Sequence, residues 1–113
     1  MSTEIAEVEM NIKEAQKMVE LGKSLERLRN NRDFKKLILD DYLEKEAVRL
    51  VHLKSDSNTQ DERSQASIMR DIDAVGSFTQ YLNLIVYKAD SAKQGIAEAE
   101  ETLDELRNEG VEE

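Results

Sequence analysis

Few side chains in this sequence have the types and spacings that catalysis or metal binding requires. His52 is the only histidine and the chain has no cysteine, which excludes thiolate metal sites, a cysteine nucleophile and pairs of histidine ligands. A serine–histidine triad would have to use His52, and no neighbouring residue marks a nucleophile or a metal partner for it. We therefore interpret His52 as an ordinary residue near the end of a helix.

Pairs of carboxylates are the other candidates for acid and base chemistry. They stand at Asp40 and Asp41, at Asp71 and Asp73, and at Glu100 and Glu101. Acid–base catalysis needs one carboxyl group whose pKa is raised by an apolar pocket, whereas these pairs have polar neighbours. The oxygen-rich residues 56–62 lack the glycine and the distal glutamate of an EF-hand calcium loop. Because motifs for phosphate binding and hydrolysis are also absent from the sequence, we expect no enzyme, cofactor, metal or small-molecule substrate.

The amino-acid composition favours long helices, and these helices must position the surface through which the protein acts. The 113 residues suit one domain, and they include no proline and only four glycines, the main helix breakers. No apolar stretch reaches the roughly 18 residues of a membrane span, and the first ten residues carry three glutamates where a signal peptide would be basic. We expect a single all-α domain over residues 1–113, intracellular, without β-sheet and without a membrane.

The net charge of −9 is concentrated near the end of the sequence. Residues 98–113 contain eight acidic residues and one cation, Arg107, so direct binding to nucleic acid is disfavoured. This segment could be a solvated helix end, a docking face for a basic partner, or part of a DNA-mimicking surface. The residues of the predicted acidic face are Glu98, Glu101, Glu105 and Glu109. A basic cluster that could touch phosphates or simply flank two helix ends comprises Arg27, Arg29, Arg32, Lys35 and Lys36.

Hydrophobic spacing predicts a first helix over residues 3–29 and a second over residues 31–54. The first carries a stripe at steps of three and four that shifts by one residue toward its end. The stripe consists of Ile5, Val8, Ile12, Ala15, Val19 and Gly22, followed by Met18, Leu21, Leu25 and Leu28. A break is predicted at Asn30 and Asn31, with Asn30 as the cap and Asp33 three residues into the next helix. The second helix has a wider apolar face, including Leu37, Val48 and Val51.

A third helix is predicted over residues 60–108, followed by a frayed acidic tail over residues 109–113. A polar turn precedes it, and the spacing of Thr59 and Glu62 is that of a capping box. The late stripe has the regular steps of a coiled-coil seam, while Gly76 and Gly95 leave strict continuity open. The stripe consists of Leu82, Ile85, Ala89, Ala92, Ile96, Ala99, Leu103 and Leu106. We predict a long antiparallel helical hairpin or three-helix coiled-coil-like bundle.

Two paired helices bury little core, so we expect the remaining apolar side chains to bind a protein partner. Aromatic residues concentrate interface energy, although packing in the protein's own core is the alternative for each. The predicted partner-binding residues are Phe34, Ile38, Tyr42, Phe78, Tyr81 and Tyr87.

The sequence from Leu25 to Leu53, followed by the polar turn and the run from Asp71 to Leu82, resembles a group of small, mostly uncharacterised proteins of tailed bacteriophages. The likeness spans residues 25–105 and has no catalytic signature. It implies a phage-encoded protein and does not distinguish a virion component from an assembly factor or a host-takeover protein. The apolar stripes, which exceed what one hairpin can bury, favour a structural or assembly protein that self-associates or docks on a capsid, portal or tail surface, in the host cytoplasm with the virion as a further location. The alternative is an acidic host-takeover protein that inhibits a basic or nucleic-acid-binding host protein.

Overall fold

The computed structural model describes residues 2–112, and the side chains of residues 3–110. This part of the chain is helical and contains no strand, which confirms the predicted all-α class. The elements are α1 (Ser2–Arg29), α2 (Arg32–Phe34), a π-helix (Lys35–Glu46), α3 (Ala47–Ser55), a 3₁₀ turn (Ser57–Thr59) and α4 (Glu62–Glu112). The segments α2, π-helix and α3 follow one another without interruption, so residues 32–55 correspond to the predicted second helix.

The break between α1 and α2 lies at the two predicted asparagines. The Asn30 backbone N–H donates to the Glu26 carbonyl oxygen at 3.2 Å, so Asn30 still closes the last turn of α1. Asn31 is the cap, because its side-chain oxygen accepts the backbone N–H groups of Asp33 and Phe34 at 3.0 Å each. The predicted cap at Asn30 is therefore wrong by one residue.

The polar turn before α4 uses its side chains differently from the predicted capping box. The Thr59 hydroxyl donates backward to the carbonyl oxygens of Leu53 and Asp56, so it does not cap α4. Asp61 does so instead, because its Oδ2 accepts the backbone N–H of Ser64 at 2.9 Å. Since the cap is Asp61, α4 starts at Glu62 and not at residue 60.

Helix α4 is continuous for 51 residues. Gly76 and Gly95 lie inside it without a positive φ angle, so neither interrupts the helix. The helix continues through Glu112, where a frayed tail was predicted from residue 109 onward; Glu113 lies outside the described residues.

Close contacts divide the chain into two compact units. The first unit contains the residues up to Leu25 and those from Leu84 onward, and the second contains Glu26–Asn83. Each unit has its own buried residues and is described by itself. The expectation of one domain over residues 1–113 stays a prediction.

The first unit is an antiparallel pair formed by α1 and the later part of α4. Gly22 lies against Ala89, and Glu9 forms an ion pair with Arg107 at 3.7 Å, so residue numbers rise along one helix as they fall along the other. The residues of the predicted α4 seam that fall in this unit, from Ile85 to Leu106, are all buried or half-buried. The predicted seam is confirmed here. The shifted stripe of α1 is only partly right, because Leu21 stays exposed.

The second unit is an antiparallel pair formed by residues 32–55 and the early part of α4. Its core contains Leu50, Ile68 and Val75, and Leu50 is only 1% exposed. Five half-buried residues pack against this core: Tyr42, Leu43, Ala47, Leu53 and Ile72. Val48 and Val51 are exposed, so the apolar face of the second predicted helix is narrower than predicted. Leu28, the last residue of the shifted α1 stripe, is exposed as well.

The π-helix changes which residues of the second unit face its core. Hydrogen bonds from residue i to i+5 place more residues in each turn than in an α-helix, so side chains recur at wider spacing. Phe34, Ile38 and Tyr42 are accordingly half-buried at steps of four. Leu37, which α-helical spacing places on the same face, is 60% exposed, while Leu39 is half-buried. The predicted inward position of Leu37 is therefore wrong.

Candidate functional site

Five of the six predicted partner-binding residues lie in the second unit. Phe34, Ile38 and Tyr42 are half-buried along the helical segment 32–55, whereas Phe78 and Tyr81 are exposed on α4. Tyr42 and Phe78 are in contact, with ring centroids 6.2 Å apart and ring planes at 90°, an edge-to-face arrangement. The structure thus brings Tyr42 and Phe78 together across the two helices of this unit.

A face of α4 beside this aromatic pair is formed by Ala74, Ser77, Phe78 and Tyr81, and we call it the aromatic face. Their spacing of i, i+3, i+4 and i+7 places them on one side of the helix. All four are exposed, and Tyr81 keeps 58% of its surface in solvent. None of the four carries a charge, and Phe78 contacts Tyr42, so the aromatic face is an uncharged and largely solvent-exposed surface of its unit.

A hollow of about 230 Å³ adjoins the aromatic face at Ala74. Its lining consists of Tyr42, Glu46, Arg49, Leu50, Asp71, Ala74 and Val75. Buried Leu50 and Val75 form an apolar floor, while Arg49 and Asp71 are exposed at the rim. Arg49 Nε donates to Glu46 Oε1, so this rim contains one ion pair and the carboxylate of Asp71.

Tyr87, the sixth predicted residue, lies in the first unit and is 70% exposed. Leu84 and Val86 are exposed in the same unit. These three side chains lie outside the buried seam of their unit, which Ile85 and Ala89 enter. The first unit therefore also has exposed apolar surface, and Tyr87 is not part of its core.

The predicted acidic face is a solvent-exposed side of α4. Glu98, Glu101, Glu105 and Glu109 are all exposed, and none forms an ion pair with a described residue. Their spacing keeps them on one side of the helix, which is what either solvation or a basic partner requires. In the predicted basic cluster, Arg29 is half-buried and the other four cations are exposed.

Groups that could do chemistry are dispersed. His52 is exposed near the end of α3, as are Asp40, Asp71, Asp73, Glu100 and Glu101, while Asp41 is half-buried. Hydrogen bonds from the Ser64 hydroxyl and backbone N–H hold the pKa of Asp61 below its usual range, as expected for a helix cap. Within residues 2–112 no group of three His, Cys, Asp or Glu side chains is arranged to hold a metal ion. None of the helices in that range has the length and apolar character to cross a membrane.

The sequence reasoning missed Ala74 and Ser77 as members of a surface, and also the half-buried Leu39. One signal for the first two was present, because residues 74–87 contain no charged residue in a chain that is 36% charged. No protein-family model, curated protein or solved structure matches this chain.

Proposed function

We propose that this chain is a non-enzymatic structural or assembly protein of a tailed bacteriophage. It acts through its helices, either by self-association or by docking on a capsid, portal or tail surface. The phage setting rests on the resemblance of residues 25–105 to small phage proteins. The mode of action rests on the exposed apolar and aromatic side chains of the two units.

The observation that carries the proposal is the exposure of Tyr81 and Tyr87 at 58% and 70% on a helix whose opposite side is buried. Each unit is a single layer of two helices, so one side of each helix has nothing to cover it within the unit. Large aromatic side chains in such positions are typical of protein–protein contacts, because tyrosine is enriched among the residues that dominate binding energy. A solvated surface does not need them.

Mass spectrometry of purified particles of the phage that encodes this chain tests the proposal. A structural component is expected at a fixed number of copies per particle, and an assembly factor in immature particles only. Absence from both kinds of particle contradicts the proposal. The chain carrying Tyr81→Ser and Tyr87→Ser is the matched variant, and it should be lost from particles while its far-UV circular dichroism stays unchanged.

A second candidate function is favoured by the unpaired carboxylates of the acidic face. Four exposed glutamates that form no ion pair with any described residue suit a basic partner, such as a nucleic-acid-binding host protein that this chain would inhibit. Binding of that kind should weaken steeply as salt rises, since exposed charges are screened over about 10 Å at 0.1 M salt. Association through the tyrosines should change little with salt, which separates the two candidates in one titration.

A further inference from the structure

The aromatic face of α4 is complementary in size to itself. When two copies of α4 cross antiparallel about a two-fold axis between positions 77 and 78, position 74 of one meets position 81 of the other, and position 77 meets position 78. Ala74 then lies opposite Tyr81, and Ser77 opposite Phe78. Every pairing places a small side chain against a ring, the interdigitation that close helix packing requires.

The charge of the aromatic face also suits a second copy. Residues close to a two-fold axis lie near their own counterparts in the second copy, so a charge there would lie near a like charge. Helix α4 has no charged residue from Ala74 to Tyr87, although the chain as a whole carries −9. Copies of this acidic protein can therefore approach at the aromatic face without bringing carboxylates together. The four residues of the aromatic face offer no carboxylate to a basic partner, although Asp71 lies at the rim of the adjoining hollow.

The hollow beside Ala74 has the capacity of one side chain. Its volume of about 230 Å³ lies below the roughly 300 Å³ at which ligand pockets begin. The apolar floor at Leu50 and Val75 suits an aromatic ring. The charged rim offers hydrogen-bond partners to a hydroxyl, which a buried tyrosine needs. The nearest such side chain in the antiparallel pairing is Tyr81 of the second copy, because it lies opposite Ala74.

We propose that a second copy of this chain docks on the aromatic face about a two-fold axis between Ser77 and Phe78, with Tyr81 of each copy entering the hollow beside Ala74 of the other. This pairing rests on the proposed function, because it names the partner and the surface of the self-association. It assigns Tyr81 as the anchor, Ala74 as the residue whose small size keeps the hollow open, and Phe78 as a ring held by Tyr42 at the axis.

Sedimentation equilibrium of the full chain measures the pairing. The wild-type chain should form dimers, and both Tyr81→Ala and Ala74→Phe should raise the dimer Kd at least about ten-fold, since the first removes the anchor and the second fills the hollow. The double variant, A74F with Y81A, exchanges small and large across the axis, and its Kd should lie well below that expected from adding the two single effects. Ala97→Phe, at an exposed position of the first unit, is the size-matched control and should leave the Kd unchanged.

Cross-linking locates the axis independently of affinity. Because the chain has no cysteine, each single-cysteine variant reports one position only. Ser77→Cys should give covalent dimers with a short bismaleimide linker, since position 77 lies next to the axis. Ser57→Cys, which is exposed at the other end of the second unit, should not.

A monomeric wild-type chain at all concentrations would overturn the pairing. A dimer whose Kd is indifferent to Tyr81→Ala and Ala74→Phe, or that cross-links at position 57 and not 77, would overturn it as well. In either case the chain can still be found in phage particles, so the proposed function would stand. A confirmed dimer that is absent from mature and immature particles would leave the pairing intact and overturn the phage assembly role.

Discussion

Gly22 of α1 lies so close to Ala89 of α4 that a β-carbon added at position 22 would collide with the Ala89 side chain. At this point the backbone of α1 contacts a side chain of α4, and there is no space for a methyl group at position 22. The short distance between the two helices therefore depends on two small residues that face each other, Gly22 and Ala89.

Gly22→Ala should therefore destabilise the protein by about 1 kcal/mol, although alanine is the better helix former. Exchanging glycine for alanine inside a helix contributes up to about 1 kcal/mol, whereas overpacking a close contact costs about 1–3 kcal/mol. The free energy of unfolding from urea titration measures the difference.

Gly95→Ala is the matched control, since nothing lies within 4 Å of a β-carbon at position 95. At this position only the higher helix propensity of alanine matters, because no steric clash opposes it, and we expect stabilisation by about 0.5–1 kcal/mol. If both substitutions shift stability in the same direction, the close approach at Gly22 is contradicted.

Ala92→Glu should destabilise the first unit by about 2 kcal/mol. Ala92 is half-buried in the α4 seam, so a carboxylate there loses hydration without gaining a partner. Ala97→Glu makes the same change at an exposed position of the same helix and should alter stability by less than about 0.5 kcal/mol. Thermal unfolding followed by circular dichroism compares the two, and equal melting temperatures would contradict the seam.

Leu50→Ala should cost about 2–5 kcal/mol, because Leu50 is the most deeply buried side chain of the second unit. Leu37→Ala should cost less than about 0.5 kcal/mol, because the π-helix turns Leu37 toward solvent. This second value distinguishes the two helix types, since regular α-helical spacing would bring Leu37 to the core. A cost above 2 kcal/mol at Leu37 would argue for the α-helical register.

Stability should fall in acid as Asp61 becomes protonated. Hydrogen bonds from Ser64 lower the pKa of Asp61 in the folded state, so its contribution is complete above its ordinary pKa and is lost as pH falls through the lowered value. The loss belongs to the range below about pH 4. Melting temperatures between pH 2 and pH 5 measure it. Asp61→Asn keeps a capping oxygen, and it should flatten this part of the profile relative to the wild-type chain.

The long helices could be predicted because the spacing of their apolar residues indicates both the helix and its buried side. The α4 seam repeats at steps of three and four over 25 residues, and each of its eight side chains, from Leu82 to Leu106, is buried or half-buried. The break at Asn30 and Asn31 was predictable for the same kind of reason, since asparagine suits both the end and the start of a helix.

The cap of α4, the π-helix and the hollow beside Ala74 could not be predicted from the spacing of apolar residues. Thr59 and Asp61 can both cap a helix, and what settles the competition is that the Thr59 hydroxyl donates to Leu53 and Asp56. The π-helix has no periodic signal of its own in a short segment, so Leu37 and Leu39 could not be assigned to opposite environments. The hollow beside Ala74 arises from packing between two helices, which no single helix encodes.

The two units differ in the length of chain that must be closed to form them. Leu50 and Ile68 of the second core are 18 positions apart, whereas Gly22 and Ala89 of the first unit are 67 apart. The entropy of loop closure makes the free-energy cost of the longer closure greater by about 1 kcal/mol. The second unit should therefore form first during folding, and the helices of the first unit should pair afterwards. Core substitutions at Leu50 should then slow folding, whereas those at Ala89 should mainly speed unfolding, as stopped-flow kinetics can show. A chain emerging from the ribosome would hold α1 without its partner until nearly all of α4 had been made.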